Sequence, residues 1–316
     1  MATNPHISVR GASRAVVVLA VVAAATAVVL GRDAGNSNAS GRLGAPASNN
    51  WPVGPTAGSS PSSIAGTSRR SKKPQPERPL SLPATLPRRE IRLPILMYHR
   101  INVSTPGTPS MERRLTVHPA DFARQMTWLK QHRYRPVTQR ELFGALFEGR
   151  SLGPKPILIT FDDGYRDLYE HASPVLARLG MRATAYVISG RTKNGYPTFL
   201  TWRLLRQLES RGIEIGSHTA THADLTSLSD TEALGELVKS RRAFERRLRH
   251  PVQWLAYPYG SFDARIERLA KRAGYVLAVT TEHRSVQSAR RPLALPRLRV
   301  LDSTGVAGVA AMLRGS

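Results

Sequence analysis

The sequence predicts an α/β protein whose parallel sheet curls into a slightly irregular barrel, and three observations lead there. Short β-type runs alternate with helical stretches from residue 91 onward, the order that lays parallel strands under covering helices. The run PILIT (156–160) is wholly apolar, as expected of a strand covered on both faces. Finally, about seven strand–helix units fit in roughly 220 residues, a size that suits a barrel.

The elements follow in order. IRLPILMYH (91–99) reads as the first strand, and PADFARQMTWLKQH (119–132) places Phe122, Met126 and Leu129 on one helical face. Thr138 and Glu141 suit a capping box that opens a second helix. After PILIT come a helix over 167–179, the strand ATAYVI (183–188), a helix over 201–211 opened by Thr201, and the strand IEIG (213–216). Ser229 and Glu232 open a long helix before the strand VQWLAY (252–257). A helix over 263–273 stops at Gly274, and YVLAVT (275–280) and LPRLRV (295–300) read as the last strands.

The first ninety residues differ in kind. AVVVLAVVAAATAVVL (15–30) is an unbroken apolar run behind Arg10 and Arg14. It is shorter than the ~20 residues a membrane span needs. With Ala25-Thr26-Ala27 as a small-residue cleavage site, residues 1–33 read as a signal peptide or retained membrane anchor. The expected location is therefore outside the cytoplasm, in the cell envelope, anchored or secreted. Residues 34–90 are rich in Gly, Ser and Pro, with a basic patch at Arg69, Arg70, Lys72 and Lys73. They read as a disordered tether, leaving 91–316 as the folded domain.

Composition excludes some chemistries. The chain has no cysteine, so thiolate zinc sites, cysteine nucleophiles and disulfides are out. The 46 Lys and Arg against 22 Asp and Glu give a net charge of +24, and most of the excess lies beyond residue 90. Such a charge favours anionic partners, among them a membrane surface or an anionic cell-envelope polymer. No module interleaves basic and aromatic residues on one face, so nucleic acid is not an expected partner.

The informative residues sit where the predicted strands end. ITFDDGY (159–165) sets Asp162 and Asp163 side by side, and adjacent carboxylates repel unless a cation or a proton separates them. IEIG runs into Ser217-His218-Thr219-Ala220-Thr221-His222, ILMY into His99, and VQWLAY into Pro258-Tyr259-Gly260. Each feature has an ordinary explanation: paired aspartates cap helices, and a single histidine at a strand end is usually structural. Arriving together at the carboxyl ends of parallel strands, they point to a site. One Asp and two His form a three-ligand set with room for water, as in catalytic zinc centres. The other Asp is then free to act as base, with a histidine across the site as acid. His118, His132, His171, His250 and His283 have no such setting and read as surface or structural residues.

TFDDG (160–164) and SHTATH (217–222) resemble the first two motifs of the polysaccharide deacetylases, the NodB-homology family of carbohydrate esterases (family 4). The resemblance implies a distorted (β/α)7 barrel and removal of acetyl groups from N-acetylated sugars. It makes Asp162 the base, and Asp163, His218 and His222 the ligands of one divalent ion, zinc first, with cobalt or nickel as options. There are two departures. Ala256 stands where many members carry an arginine that orients the base, and LPRLRV lacks the histidine of a Leu-x-His motif.

PILMYHRI (94–101) resembles the opening of the subgroup that de-N-acetylates poly-β-1,6-N-acetylglucosamine, which implies His99 as the acid. FLTW (199–202), AYPYG (256–260) and PRLRV also resemble that subgroup. They imply groove or oxyanion roles for Trp202, Pro258 and Tyr259, the last through its backbone N–H. Tyr98 and Trp202 also suit plain core packing. The expected function is an exported, metal-dependent deacetylase of N-acetylglucosamine polymers, with the β-1,6-linked polymer as first choice. A peptidoglycan or chitin-oligomer deacetylase, or a catalytically weak glycan-binding protein of the same fold, are the alternatives. A two-metal phosphoester hydrolase fits less well, because only one ligand set is present.

Overall fold

A computed structural model describes residues 78–193 and 195–315, which belong to one compact unit, 71–316. The expected export segment and most of the expected tether lie outside the described residues.

Seven parallel strands form the main sheet: β1 (Ile95–Tyr98), β2 (Pro156–Phe161), β3 (Ala183–Val187), β4 (Ile213–Ser217), β5 (Trp254–Ala256), β6 (Leu277–Val279) and β7 (Leu298–Arg299). Their spatial order is β6-β5-β4-β3-β2-β1-β7, and Arg135–Pro136 lies beside the start of β2. Alternation of side chains sorts the two faces. Leu96, Ile157, Ile159, Ala185 and Ile215 pack outward on the helices, while Ile95, Leu158, Tyr186, Ala256 and Val279 pack inward. Both faces are covered, which is why the strands read as apolar runs.

The segment after β6 closes the sheet. Leu295 bridges Val279 on one edge, and Leu298 and Arg299 pair with Leu96 and Met97 on the other. The expected last strand, 295–300, is thus shared between two neighbours. Pro296, which has no N–H to donate, sits between its two halves.

The expected helices form with their expected caps. Helix α1 (Pro119–Gln131) puts Phe122, Met126 and Leu129 in the core. Helix α2 (Gln139–Phe147) starts from the Thr138–Glu141 capping box. Helix α3 (Ser173–Leu179) is preceded by a π-helical turn, Leu168–Ala172. Pro174 cannot donate to the carbonyl four residues back, which accounts for the widened turn. Helix α4 (Trp202–Ser210) is capped by Thr201. Helix α5 (Asp230–Leu248) begins at the Ser229–Glu232 capping box, and α6 (Ala264–Ala273) ends on the left-handed Gly274. Helix α7 (Gly305–Gly315) had no clear signal, its sequence being mostly Gly, Ala and Val. It is held by burial of Val309 and Leu313 and by Arg92, whose guanidinium donates to the carbonyls of Leu313 and Arg314 at 3.2 Å.

Two boundaries move. Pro94 splits the expected strand 91–99, so that Glu90–Arg92 pairs instead with Val286–Ser288 in an antiparallel ribbon. Residues 78–90, expected within the tether, are tied to the domain. Leu80 exchanges hydrogen bonds with the Gln253 amide at 2.7 Å, and Arg89 donates to the carbonyls of Ala145 and Leu146. Their composition is linker-like, and fixed side-chain partners order them nonetheless.

Candidate active site

At the end of β2 the chain makes a three-residue turn in which Gly164 N–H donates to Asp162 C=O at 2.9 Å. Asp163 in the middle has φ 70°, a left-handed conformation that costs about 1–3 kcal/mol for such a residue. Gly164 follows at φ 78°, and a Cβ there would lie 2.7 Å from Val187 Cγ1. The turn sends the two aspartates in different directions.

Asp162 points into the barrel and meets Arg297, which is fully buried. Arg297 Nη1 donates to Asp162 Oδ1 and Nη2 to Oδ2, both at 2.7 Å, while Nε donates to Thr280 C=O at 2.9 Å. Burial alone would raise the Asp162 pKa. The guanidinium fork outweighs it and holds the carboxyl below its usual range.

Asp163 turns toward the loop after β4. Its Oδ1 lies 3.4 Å from Nε2 of both His218 and His222. The donor atoms of these three residues all fall within 4.8 Å of one another, the one such grouping of three or more acidic or histidine side chains among the described residues. His218 Nδ1 lies 2.8 Å from Ala256 C=O, so Nδ1 carries a proton and Nε2 is the nitrogen directed at the cluster, the orientation a ligating imidazole requires. Burial raises the Asp163 carboxyl, but His218, His99 and His222 bring it well below its usual range. Burial and the charge of His218 push His222 down to about 4. Burial would lower the His218 pKa, but Asp163 and Asp162 together raise it, so a cation bound there would take the place of its proton. One carboxylate and two imidazoles converging in this way suit a single divalent cation.

The histidine loop is itself built for position. Thr219 and His222 have φ 63° and 70°. His222 N–H donates to Thr219 Oγ1 at 3.1 Å, and Glu236 of α5 accepts from the N–H groups of Ala220 and Thr221 at 3.1 and 2.8 Å. One turn further along α5, Ser240 Oγ meets Ser217 Oγ at 2.8 Å.

His99, directly after β1, completes the group. Burial lowers its pKa, opposed by the nearby charges of Asp162 and Asp163. Its Nδ1 is buried without a hydrogen-bond partner, a costly arrangement that leaves that nitrogen free for a ligand. Tyr259 stands at the rim, 64% exposed, at φ 61°, with its ring edge-on to His222 at 4.6 Å. Pro258 beside it is buried.

The structure therefore brings Asp162, Asp163, His218, His222, His99 and Tyr259 together. It does not bring Trp202. That ring packs on Phe244 at 5.5 Å and under the Arg247 guanidinium at 5.8 Å, joining α4 to α5. Of its two expected roles, groove residue and core packing, these contacts match the second, as suits a large partly buried aromatic between two helices. Two residues of this site were not anticipated. Arg297 supplies the fork that Ala256 cannot, and its signal was an arginine between two apolar residues of a terminal strand. Glu236 gave no signal, being one acid among many on a long helix.

Known proteins resemble this chain over most of its folded part. The polysaccharide deacetylase family model matches residues 149–278. A Bacillus subtilis protein, YxkH, assigned by name to the polysaccharide deacetylases, is 33% identical over 219 residues, covering 69% of this chain and 74% of its own. The poly-β-1,6-N-acetyl-D-glucosamine N-deacetylase of Staphylococcus aureus is 24% identical over 204 residues, 60% of this chain and 69% of that one. Among solved structures, the Streptococcus pyogenes deacetylase PplD in complex with acetate superposes with a TM-score of 0.66 at 29% identity, over 71% of this chain and 99% of that one. With the barrel, the paired aspartates and the His-x-x-x-His loop all in place, the chain belongs to the polysaccharide deacetylase family.

Proposed function

We propose that this protein is an exported, metal-dependent N-deacetylase of N-acetylglucosamine-containing glycan, with the β-1,6-linked polymer as the first substrate to test. The observation that carries the reading is the division of labour between the two aspartates, one forked by Arg297 and one facing two histidines. The S. aureus relative favours the β-1,6 linkage, and the apolar run 15–30 behind two arginines favours export.

Asp163, His218 and His222 would hold the ion. A divalent ion bound there, zinc by donor type and cobalt or nickel as substitutes, would polarise the acetyl carbonyl and acidify water. Asp162, ionised and immobilised, takes a proton from the attacking water as the C–O bond forms. Its fork leaves each oxygen a further lone pair for that task. His99, in its protonated form, gives its proton to the sugar nitrogen as the C–N bond breaks, yielding acetate and the free amine. The backbone N–H of Tyr259 stands by for the oxyanion, and its exposed ring offers a face to a sugar.

The test is acetate release from β-1,6- and β-1,4-linked N-acetylglucosamine oligomers by protein stripped of metal and resupplied with zinc, cobalt or nickel. Release that returns with metal supports the reading and ranks the linkages. A protein that takes up metal and releases no acetate from any of them overturns it. The glycan-binding alternative loses its main support, since the arginine missing at position 256 is present as Arg297.

A further inference from the structure

His99 sits where the ladder between β1 and β2 runs out. Asp162 N–H donates to Tyr98 C=O at 2.9 Å, and the chain beyond β2 then bends away into the aspartate turn. The chain beyond His99 carries on as Arg100–Ile101, paired in parallel with Thr116–Val117. On that side Arg100 N–H and Asn102 N–H donate to Leu115 C=O and Val117 C=O at 3.2 and 3.1 Å. Successive N–H groups of a strand point to opposite sides, so Ile101 N–H faces the gap that β2 has left. A buried N–H without an acceptor is costly.

Asp167 fills that gap. It comes from the turn that follows the paired aspartates and is 3% exposed. Its Oδ1 accepts from Ile101 N–H at 3.1 Å and its Oδ2 from Arg100 Nε at 2.9 Å. One carboxylate thus holds both residues that follow His99, one by its main chain and one by its side chain. Arg100 is fixed further, since its guanidinium lies 4.7 Å over the Tyr165 ring and pairs with Glu112. Tyr165 in turn stacks on Phe199 at 5.0 Å. Asp162 N–H therefore holds the residue before His99, and Asp167 holds the residues after it.

A proton donor has to be aimed at the nitrogen that departs. His99 Nδ1 has no hydrogen-bond partner, so no side chain steers the ring through that nitrogen. Its aim comes from the backbone that carries it. We propose that Asp167 is a positioning residue for the acid, fixing His99 relative to Asp162 through Ile101 N–H and the Arg100 guanidinium. The inference rests on the deacetylase reading. Asp162, Asp163 and Asp167 then divide three tasks within one short segment: proton acceptance, metal binding and placement of the acid. Asp167 itself stands outside the cluster of donor atoms.

The experiment is a double-mutant cycle between D167A and H99A, read as kcat, KM and zinc affinity with N-acetylglucosamine oligomers. D167A alone should lower kcat about tenfold to a hundredfold, the order lost when a reacting group is slightly misplaced. Its KM and zinc affinity should stay within about twofold of the wild type, since neither is the property being set. In the H99A background no acid remains to be misplaced, and the same substitution should change the residual kcat by less than about twofold. D167N keeps an oxygen for Ile101 N–H and should retain part of the lost kcat. It also carries the cycle should D167A not fold. An equal fold-loss with and without His99 overturns the inference, because Asp167 would then support the fold at large. A loss that saturating zinc repairs overturns it too. Wild-type kcat in both D167A and D167N overturns it and leaves the deacetylase reading standing. A wild-type protein that releases no acetate from any oligomer overturns that reading and the inference together.

Discussion

Arg297 grips Asp162 through both carboxylate oxygens, each at 2.7 Å, from the segment that closes the barrel. The closure of the fold and the orientation of the proposed base are therefore one device. In R297K the charge stays and the fork goes, so kcat should fall about a hundredfold, the order lost when a reacting group is slightly misplaced. R297M leaves a carboxylate buried and uncompensated and should cost roughly 3–5 kcal/mol of stability. Adding D162N to R297M should recover much of that stability and none of the activity. Thermal unfolding and acetate release separate the two effects. A fully active R297M would remove Arg297 from the mechanism.

The same pair sets a pH dependence. The folded-state pKa of Asp162 is depressed, by Arg297 against the opposing effect of burial. Its stabilising contribution is therefore complete above the ordinary carboxylate pKa of about 3.9 and fades as pH falls through the lower folded value. Melting temperature should drop more steeply below pH ~4 in the wild type than in the D162N/R297M protein. Equal slopes would show that the pair contributes nothing to acid stability.

Much of this site was legible because its residues come in short contiguous runs at strand ends. Asp162 and Asp163 follow one strand and His218 and His222 another, so strand periodicity alone delivers them to one rim. Arg297 was not legible, because its partner lies 135 residues away. The pairing depends on which strand sits at the seam, and one terminal run split between two edges gives no period to read. Trp202 stayed open between groove and core for a related reason. Its position at a helix start was clear, but the direction of its ring is set by Phe244 on another helix. Helix α7 escaped because burial, not propensity, holds it.

Metal removal tests the donor set directly. Chelation should abolish acetate release and lower the melting temperature. A ligand present at a hundred times its Kd stabilises by about 2.7 kcal/mol, and that increment should be absent from H218A and H222A. Calorimetry on zinc-loaded and stripped protein checks it. A chelator-insensitive wild-type reaction would exclude the proposed chemistry.

His99 should act only as a proton donor. H99A should lose about 10²–10⁴-fold in kcat, the usual range for a general acid, while zinc affinity stays within a fewfold of the wild type. His99 is needed protonated, and burial lowers its pKa, so activity should fall as pH rises through that value. The pH–rate profile of H99A should lack this alkaline limb. Retention of the limb would assign it to another group.

Glu236 holds the histidine loop by accepting from two backbone N–H groups, Ala220 and Thr221, without contacting the cluster itself. It is a positioning residue, and its loss should show first in metal binding. E236A should weaken zinc affinity by about 10–100-fold, the range for groups that orient ligands, and activity should return at saturating zinc. E236Q, which keeps an acceptor oxygen, should lie between. His222 would feel the change most, because its left-handed backbone, at φ 70°, has Thr219 Oγ1 as its nearby anchor. An E236A protein with wild-type zinc affinity would mean that Thr219 and Ser217 hold the loop unaided.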